Sequence, residues 1–184
     1  MINRKIFFDL YKKQLDKDKK LDQKEVNAID LFLNFVDKQW SEFSGPQWAY
    51  IFATTFHETA HTFEPVREAY WMSEAWRKKN FRYYPYYGRG YVQITWKANY
   101  QYYANLLGLD LVNNPDITMQ PQVAFLILTH GFKYGKFTGR KITDYISGSK
   151  KDYVNARRCI NGTDKASLIA NYAKLFEEII LKSV

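Results

Sequence analysis

The sequence predicts a mainly α-helical domain with one small β element, and three observations predict it. Apolar residues recur at three- and four-residue spacing over most of the chain, the period of a helix face. The glycine and proline that interrupt helices cluster in residues 62–95. Apolar–polar alternation, the strand signature, marks the short run Tyr91-Val92-Gln93-Ile94-Thr95-Trp96.

In chain order, a first helix is expected over residues 4–15, with Ile6, Phe7, Leu10 and Tyr11 on one face. Residues 16–20, Asp-Lys-Asp-Lys-Lys, read as a solvated connection. A second helix spans about 22–40, with Val26, Ile29, Leu33 and Val36 in step. Ser44-Gly45-Pro46 is a helix start signal. The third helix then aligns Trp48, Ile51, Phe52, Thr55 and Phe56, and Glu58 falls near the edge of that stripe. Pro65, Pro85, Gly88 and Gly90 exclude a long helix in the next segment. A helix resumes near Lys97 and stops at Gly108. Asn113-Asn114-Pro115-Asp116 is a turn, and Pro121 to about Lys133 is a buried helix. Tyr134 to Arg140 is a loop. Two further helices are expected over roughly 141–159 and 164–181, the last with Ala166, Ile169, Ala170, Ala173, Phe176 and Ile180 in register. A chain of 184 residues is long enough for one compact domain or one domain with a small lobe.

Composition narrows the partners. Tyr, Phe and Trp make up 18% of the chain, more than its core requires. The surplus reads either as a Tyr-rich surface or as a groove that stacks on sugar rings or bases. Net charge is +8 and unevenly spread. Residues 1–20 carry seven basic and three acidic side chains, and residues 131–160 carry eight and two. Residues 21–60 carry two and six. Basic patches of this kind favour an anionic polymer or surface. The single cysteine, Cys159, cannot form an internal disulfide and reads as a small core residue. No apolar run approaches the ~20 residues that span a membrane. The N-terminus lacks a signal-peptide core, so synthesis in the cytoplasm without a signal peptide is expected.

Two motifs carry chemistry. His57-Glu58-Thr59 ends the apolar third helix, and a carboxyl group in an apolar setting keeps its proton and donates it near neutral pH. The same residues open His57-Glu58-Thr59-Ala60-His61, the HExxH pattern, whose two histidines share a zinc when they lie one turn apart on a helix. Downstream, the Gly-punctuated aromatic run Tyr86 to Tyr100 offers hydrogen-bonding side chains at Gln93, Thr95 and Asn99. An acid beside such a segment reads as a sugar-binding site. A second carboxylate for activating water could come from Glu64, Glu68 or Glu74, and Arg67 and Arg89 are placed to keep Glu68 ionised.

The ordered series HET, YYGRGYVQITWKANY, NNPD and INGTDKA resembles the family 19 glycoside hydrolases, chitinase-like enzymes of the lysozyme superfamily that include bacteriophage endolysins. The resemblance covers roughly residues 45–180 and implies a lysozyme-like helical fold. It implies a single catalytic domain over 1–184, with a basic N-terminal helix in 1–20 and the hydrolase core in 45–180. It assigns Glu58 as general acid, with His57 and Thr59 shaping its surroundings. Thr95 would help hold the attacking water. Gln93, Asn99, Tyr100 and Asn161 match substrate-binding positions, and Tyr87, Arg89 and Trp96 are further substrate-binding candidates. Among the three candidate bases, Glu68 in Pro-Val-Arg-Glu-Ala best matches the short family members, with Glu74 next. The chain departs from the family at Ala60-His61 after HET and at Thr163 after Ile-Asn-Gly.

The expected activity is therefore that of a peptidoglycan-degrading endolysin: hydrolysis of β-1,4 bonds in bacterial cell-wall glycan, a muramidase or lysozyme. Neither metal nor cofactor is required. A chitinase acting on N-acetylglucosamine polymers is the alternative, and a zinc cell-wall peptidase follows if HExxH is the true signal. The expected partner is the peptidoglycan glycan strand, with basic patches meeting anionic outer-membrane or cell-wall polymers. No nucleic-acid motif is present, and a monomer is expected. Such a lysin would be made in the host cytoplasm and reach the wall after a holin opens the membrane.

Overall fold

A computed structural model describes residues 1–16 and 21–184. The connection expected over residues 16–20 therefore lies largely outside the described residues. Seven α-helices are present among them: α1 (Arg4–Gln14), α2 (Gln23–Lys38), α3 (Gly45–Glu58), α4 (Glu74–Asn80), α5 (Lys97–Leu107), α6 (Pro121–Tyr134) and α7 (Ala166–Ser183). Two antiparallel pairs complete the regular structure: β1 (Val66–Arg67) with β2 (Arg89–Gly90), and β3 (Ile146–Ser147) with β4 (Lys150–Lys151). The mainly helical class expected from periodicity is the one observed. No described helix is long and apolar enough to cross a membrane.

The chain divides into two compact units, Met1–Phe63 with Thr129–Val184, and Glu64–Leu128. The first is built around α3. Its residues from Trp48 to Phe56 are all buried, so this helix is apolar on every side and forms the core itself. Phe52 packs edge-on against Phe32 of α2, with ring centroids 5.0 Å apart, and lies 5.4 Å from Phe176 of α7. Phe63 joins them at 5.2 Å from Phe32. Start signals fix the helix ends. Asp22 and Glu25 form a reciprocal capping box on α2. At α3 the Ser44 N–H donates to Gln47 Oε1, and Pro46 occupies the first turn.

The second unit is short helices and turns around β1 and β2. Gly108 ends α5 in the left-handed conformation, as its position suggests. The strand expected over Tyr91–Trp96 is not formed. Gln93 and Trp96 have φ of +55° and +75°, which breaks the extended path. The pairing moves upstream: Val66 faces Gly90, and Arg67 faces Arg89.

Two helix expectations need correction. Residues 141–159 are not one helix. Gly148, with φ of +57°, turns the chain between β3 and β4, and short 3-10 turns at Ile142–Asp144 and Asn155–Cys159 flank the hairpin. The sequence reading also missed α4, a seven-residue helix capped by the Ser73 side chain. Cys159 is fully buried, as expected of a core residue.

Candidate active site

Glu58 is the last residue of α3, and its side chain keeps 20% of its exposure. Its Oε1 accepts a 2.6 Å hydrogen bond from Arg157 Nη1. The Arg157 side chain is only 3% exposed, and its Nε donates to the Asp164 carbonyl. The immediate partner of Glu58 is thus a buried guanidinium rather than the apolar surface expected. The cation also offsets the negative end of the α3 dipole. Asn161 is exposed, and its backbone N–H closes onto the Arg157 carbonyl at 3.0 Å.

The residues around Glu58 are arranged by the end of the helix. Thr59 is buried; its Oγ1 donates to the Thr55 carbonyl and accepts from the Phe63 N–H. Burial holds the His57 imidazole below its ordinary range, outweighing the pull of the neighbouring Glu58 carboxylate. His61 stacks on Phe56, with centroids 3.9 Å apart and planes 5° from parallel. The HExxH reading needs a helix running through His61, yet α3 stops at Glu58, and Ala60 and His61 have φ of +49° and +76°. The two histidines therefore do not share a helical face. Among the described residues no group of three or more His, Cys, Asp or Glu side chains is placed to hold a metal ion.

The second unit holds Glu68 and the aromatic segment. Glu68 follows β1, and its N–H donates to the Gly88 carbonyl. Its two carboxylate oxygens take different donors: Tyr83 Oη to Oε1 at 2.6 Å and the Gly88 N–H to Oε2 at 2.8 Å. Both donors are neutral. Arg67 and Arg89, expected to attend Glu68, instead converge on Asp116. Arg67 Nη2 reaches Oδ2 at 2.9 Å, and Arg89 Nε reaches Oδ1 at 2.8 Å. That pairing, led by Arg67, holds the Asp116 carboxyl below its usual range. Glu74, the other leading candidate, is exposed at the start of α4 and accepts from Arg77 and the Tyr87 hydroxyl.

The substrate-binding candidates separate by burial. Tyr87, Arg89 and Tyr100 are 0%, 3% and 0% exposed. The Arg89 guanidinium lies 3.6 Å from the Tyr87 ring centroid and donates to the Tyr100 hydroxyl, which itself donates to the Tyr87 carbonyl. These three form a buried support beneath the Gly88 loop rather than a solvent-facing contact surface. Gln93, Thr95 and Asn99 are half-buried. Gln93 Nε2 donates to the Val66 carbonyl, Thr95 Oγ1 to the Gln93 carbonyl and Asn99 Nδ2 to the Thr95 carbonyl. Trp96 is 46% exposed, with the Arg82 guanidinium 5.1 Å from its ring. Tyr70 and Trp71, two and three residues after Glu68, are more exposed still.

Left-handed residues flank the candidate catalytic side chains. Ala60 and His61 follow Glu58, Ala69 follows Glu68, and Gln93 and Trp96 bracket Thr95. Non-glycine residues reach this conformation at a cost, and such outliers gather at functional sites. Tyr83 and Asp116 were not singled out in the sequence, because an orienting hydroxyl inside a run of tyrosines and a carboxylate inside a turn motif carry no pattern of their own. The basic stretch 131–160 is partly consumed by internal pairs: Lys133 with Glu42, Lys151 with Glu177, and Arg157 with Glu58.

Comparison with known proteins follows this geometry. Residues 18–132 match the family model described as chitinase class I. Basic endochitinase CHB4 of Brassica napus is 28% identical over 148 residues, covering 77% of this chain and 52% of that protein. Chitinase 11 of Oryza sativa subsp. japonica is 62% identical over 42 residues, 22% of this chain and 16% of its own. The chain thus spans about half the length, or less, of these relatives. Among solved structures, chitinase C from Streptomyces griseus HUT6037 superposes with a TM-score of 0.64 at 18% identity, covering 97% of this chain and 76% of that one. That likeness carries the fold.

Proposed function

The chain belongs to family 19 of the glycoside hydrolases, the chitinase class I family, and from that premise we propose that it cleaves β-1,4 bonds of N-acetylated cell-wall glycans by general acid–base catalysis. Glu58 gives its proton to the glycosidic oxygen. Glu68 takes a proton from the water whose oxygen attacks the anomeric carbon from the opposite face, so the configuration inverts. Thr95 helps hold that water. The observation that carries the reading is the difference between the two carboxylates. Glu58 sits against the buried Arg157 guanidinium, which stabilises the negative charge it acquires on giving up its proton. Glu68 is held by two neutral donors, Tyr83 and the Gly88 N–H, which orient it and leave lone pairs for water. Exposed Tyr70, Trp71 and Trp96 supply flat apolar faces of the kind sugar rings stack on.

The polymer we favour is the glycan strand of bacterial peptidoglycan, because a net charge of +8 suits an anionic wall. A chitin polymer is the second reading, favoured by the names of the two relatives described above, a basic endochitinase and a chitinase. An endolysin released to the wall would be the biological setting of the first reading.

Digestion of purified peptidoglycan and of chitin in excess EDTA, with mass analysis of the ends, separates these. Reducing N-acetylmuramic acid ends identify a muramidase, and turnover of chitin alone identifies a chitinase. Glu58→Gln should lower turnover by roughly 10²–10⁴-fold while folding normally, and undiminished activity in that variant overturns the mechanism. Glu68→Gln should be severely impaired as well. An active Glu68→Gln beside an inactive Glu74→Gln transfers the base to Glu74.

A further inference from the structure

Tyr50, Thr54 and Glu58 stand at four-residue intervals on α3, so they form one row along the helix to its C-terminal end. A second segment of the same unit runs beside that row. Tyr153 stacks on Tyr50, with centroids 6.2 Å apart and planes 8° from parallel, and Arg157 donates to Glu58. Along α3, Thr54 lies between these two contacts.

The two hydroxyls of this row are anomalous. Tyr50 and Thr54 are both 0% exposed, and their hydroxyls lie near enough to act on each other, yet neither has a protein partner at full hydrogen-bond geometry. Native interiors keep few such groups, because a buried donor without a partner is costly. The neighbouring threonines of α3 show the ordinary solution: Thr55 Oγ1 donates to the Ile51 carbonyl at 2.9 Å, and Thr59 Oγ1 to the Thr55 carbonyl at 2.8 Å. Thr54 does not take it. Burial pushes the Tyr50 hydroxyl well above its ordinary range, so it remains a donor, and the charges of Arg157 and Glu58 both act on it. The Arg157 guanidinium has five N–H donors, more than its bonds to Glu58 and Asp164 use.

We propose that Tyr50 and Thr54 are positioning residues for Glu58, their hydroxyls joined to the Arg157 guanidinium through an internal water that holds it against the Glu58 carboxylate. Two hydroxyls and one guanidinium provide the three partners that a buried water commonly uses. The role for catalysis rests on Glu58 being the acid; the network itself does not.

The test uses the full chain with Tyr50→Phe, Thr54→Val and Thr54→Ser, each also combined with Arg157→Met. Urea denaturation midpoints, and kcat and KM on a soluble N-acetylglucosamine oligomer, are measured. Tyr50→Phe and Thr54→Val should each lower kcat about tenfold with KM unchanged, and Thr54→Ser should restore it. Both should lower the denaturation midpoint, and by much less when Arg157 is already Met, because the network is then broken. Unchanged or raised midpoints together with unchanged kcat overturn the proposal. If the wild-type chain cleaves no glycan, the acid–base reading fails, and the stability coupling to Arg157 still decides the network: coupling supports it and additivity overturns it.

Discussion

Gly88→Ala tests the second carboxylate through a single methyl group. A Cβ at Gly88 would lie 2.7 Å from Gln93 Oε1, 3.2 Å from Gln93 Cβ and 3.2 Å from Glu68 Oε2. Ordinary contact begins near 3.4 Å, so the Gln93 amide must withdraw by about 0.7 Å and the Glu68 oxygen by about 0.2 Å. Gln93 is not free to swing aside, because its Nε2 is tied to the Val66 carbonyl at 2.6 Å. The Gly88 N–H is itself the donor to Glu68 Oε2, so the backbone that carries the new methyl also aims the carboxylate. Overpacking of this kind costs about 1–3 kcal/mol, with roughly 2–4 °C of Tm for each kcal/mol in a chain of this length. Catalytic geometry is less forgiving than stability, and a misplacement of about 1 Å is worth about a hundredfold in rate. The variant should therefore remain folded, lose several degrees of Tm and lose about 10–100-fold in kcat. Gly45→Ala is the control, since its Cβ meets only Leu181 Cδ2 at 3.7 Å. Thermal unfolding and steady-state kinetics on the same preparations give both numbers. A Gly88→Ala enzyme with wild-type kcat would refute the placement of Glu68 and Gln93 in the reaction.

Three further outcomes are expected. Arg157→Met leaves the partly buried Glu58 carboxylate without its charged donor; hydrogen bonds to charged groups contribute about 1.5–3 kcal/mol, so denaturant titration should show a loss of that order, and none if the pair is idle. Gly131→Ala places a Cβ 1.9 Å from the Phe137 ring inside the first unit, so it should destabilise by at least about 1–3 kcal/mol, read as a lower urea midpoint. His57, His61 and His130 are all held below their ordinary range, chiefly by burial. The unfolded chain then binds more protons than the folded one once pH falls below about 6.5, so stability should fall from pH 7 toward pH 5; a urea midpoint that is flat or rising across that window contradicts the assignment.

What could be read in the sequence, and what could not, divides along physical lines. Helix periodicity and start signals located α1, α2, α3, α5, α6 and α7 because burial of one face leaves a repeat in the residue order. The order of HET, the aromatic segment, NNPD and INGTDKA led to the family, and the family model matches over residues 18–132. Local extension was misread where a few backbone angles decide. Gln93 and Trp96 look like strand residues until their positive φ is seen, and Gly148 turns a stretch read as a helix into a hairpin. Charge pairing was misread for a different reason. Arg67 is adjacent to Glu68 in sequence, yet its guanidinium goes to Asp116, 49 residues away.

The position of Glu58 joins the fold to the proposed chemistry most directly. Most of α3 is buried on every side, which makes it a rigid core element rather than a surface helix. Its last turn brings Glu58 to partial exposure against an arginine that is itself 3% exposed. A carboxylate carried on a loop would have to be ordered by each bound substrate, at a cost in conformational entropy. Here the cost is met in folding, by the packing of Phe52 and Phe56 against α7. Truncation of Phe52 to Ala should therefore act on Glu58 at a distance. Loss of about 3–5 kcal/mol of core packing should loosen the end of α3 and lower kcat, without altering any of the proposed glycan-contacting groups.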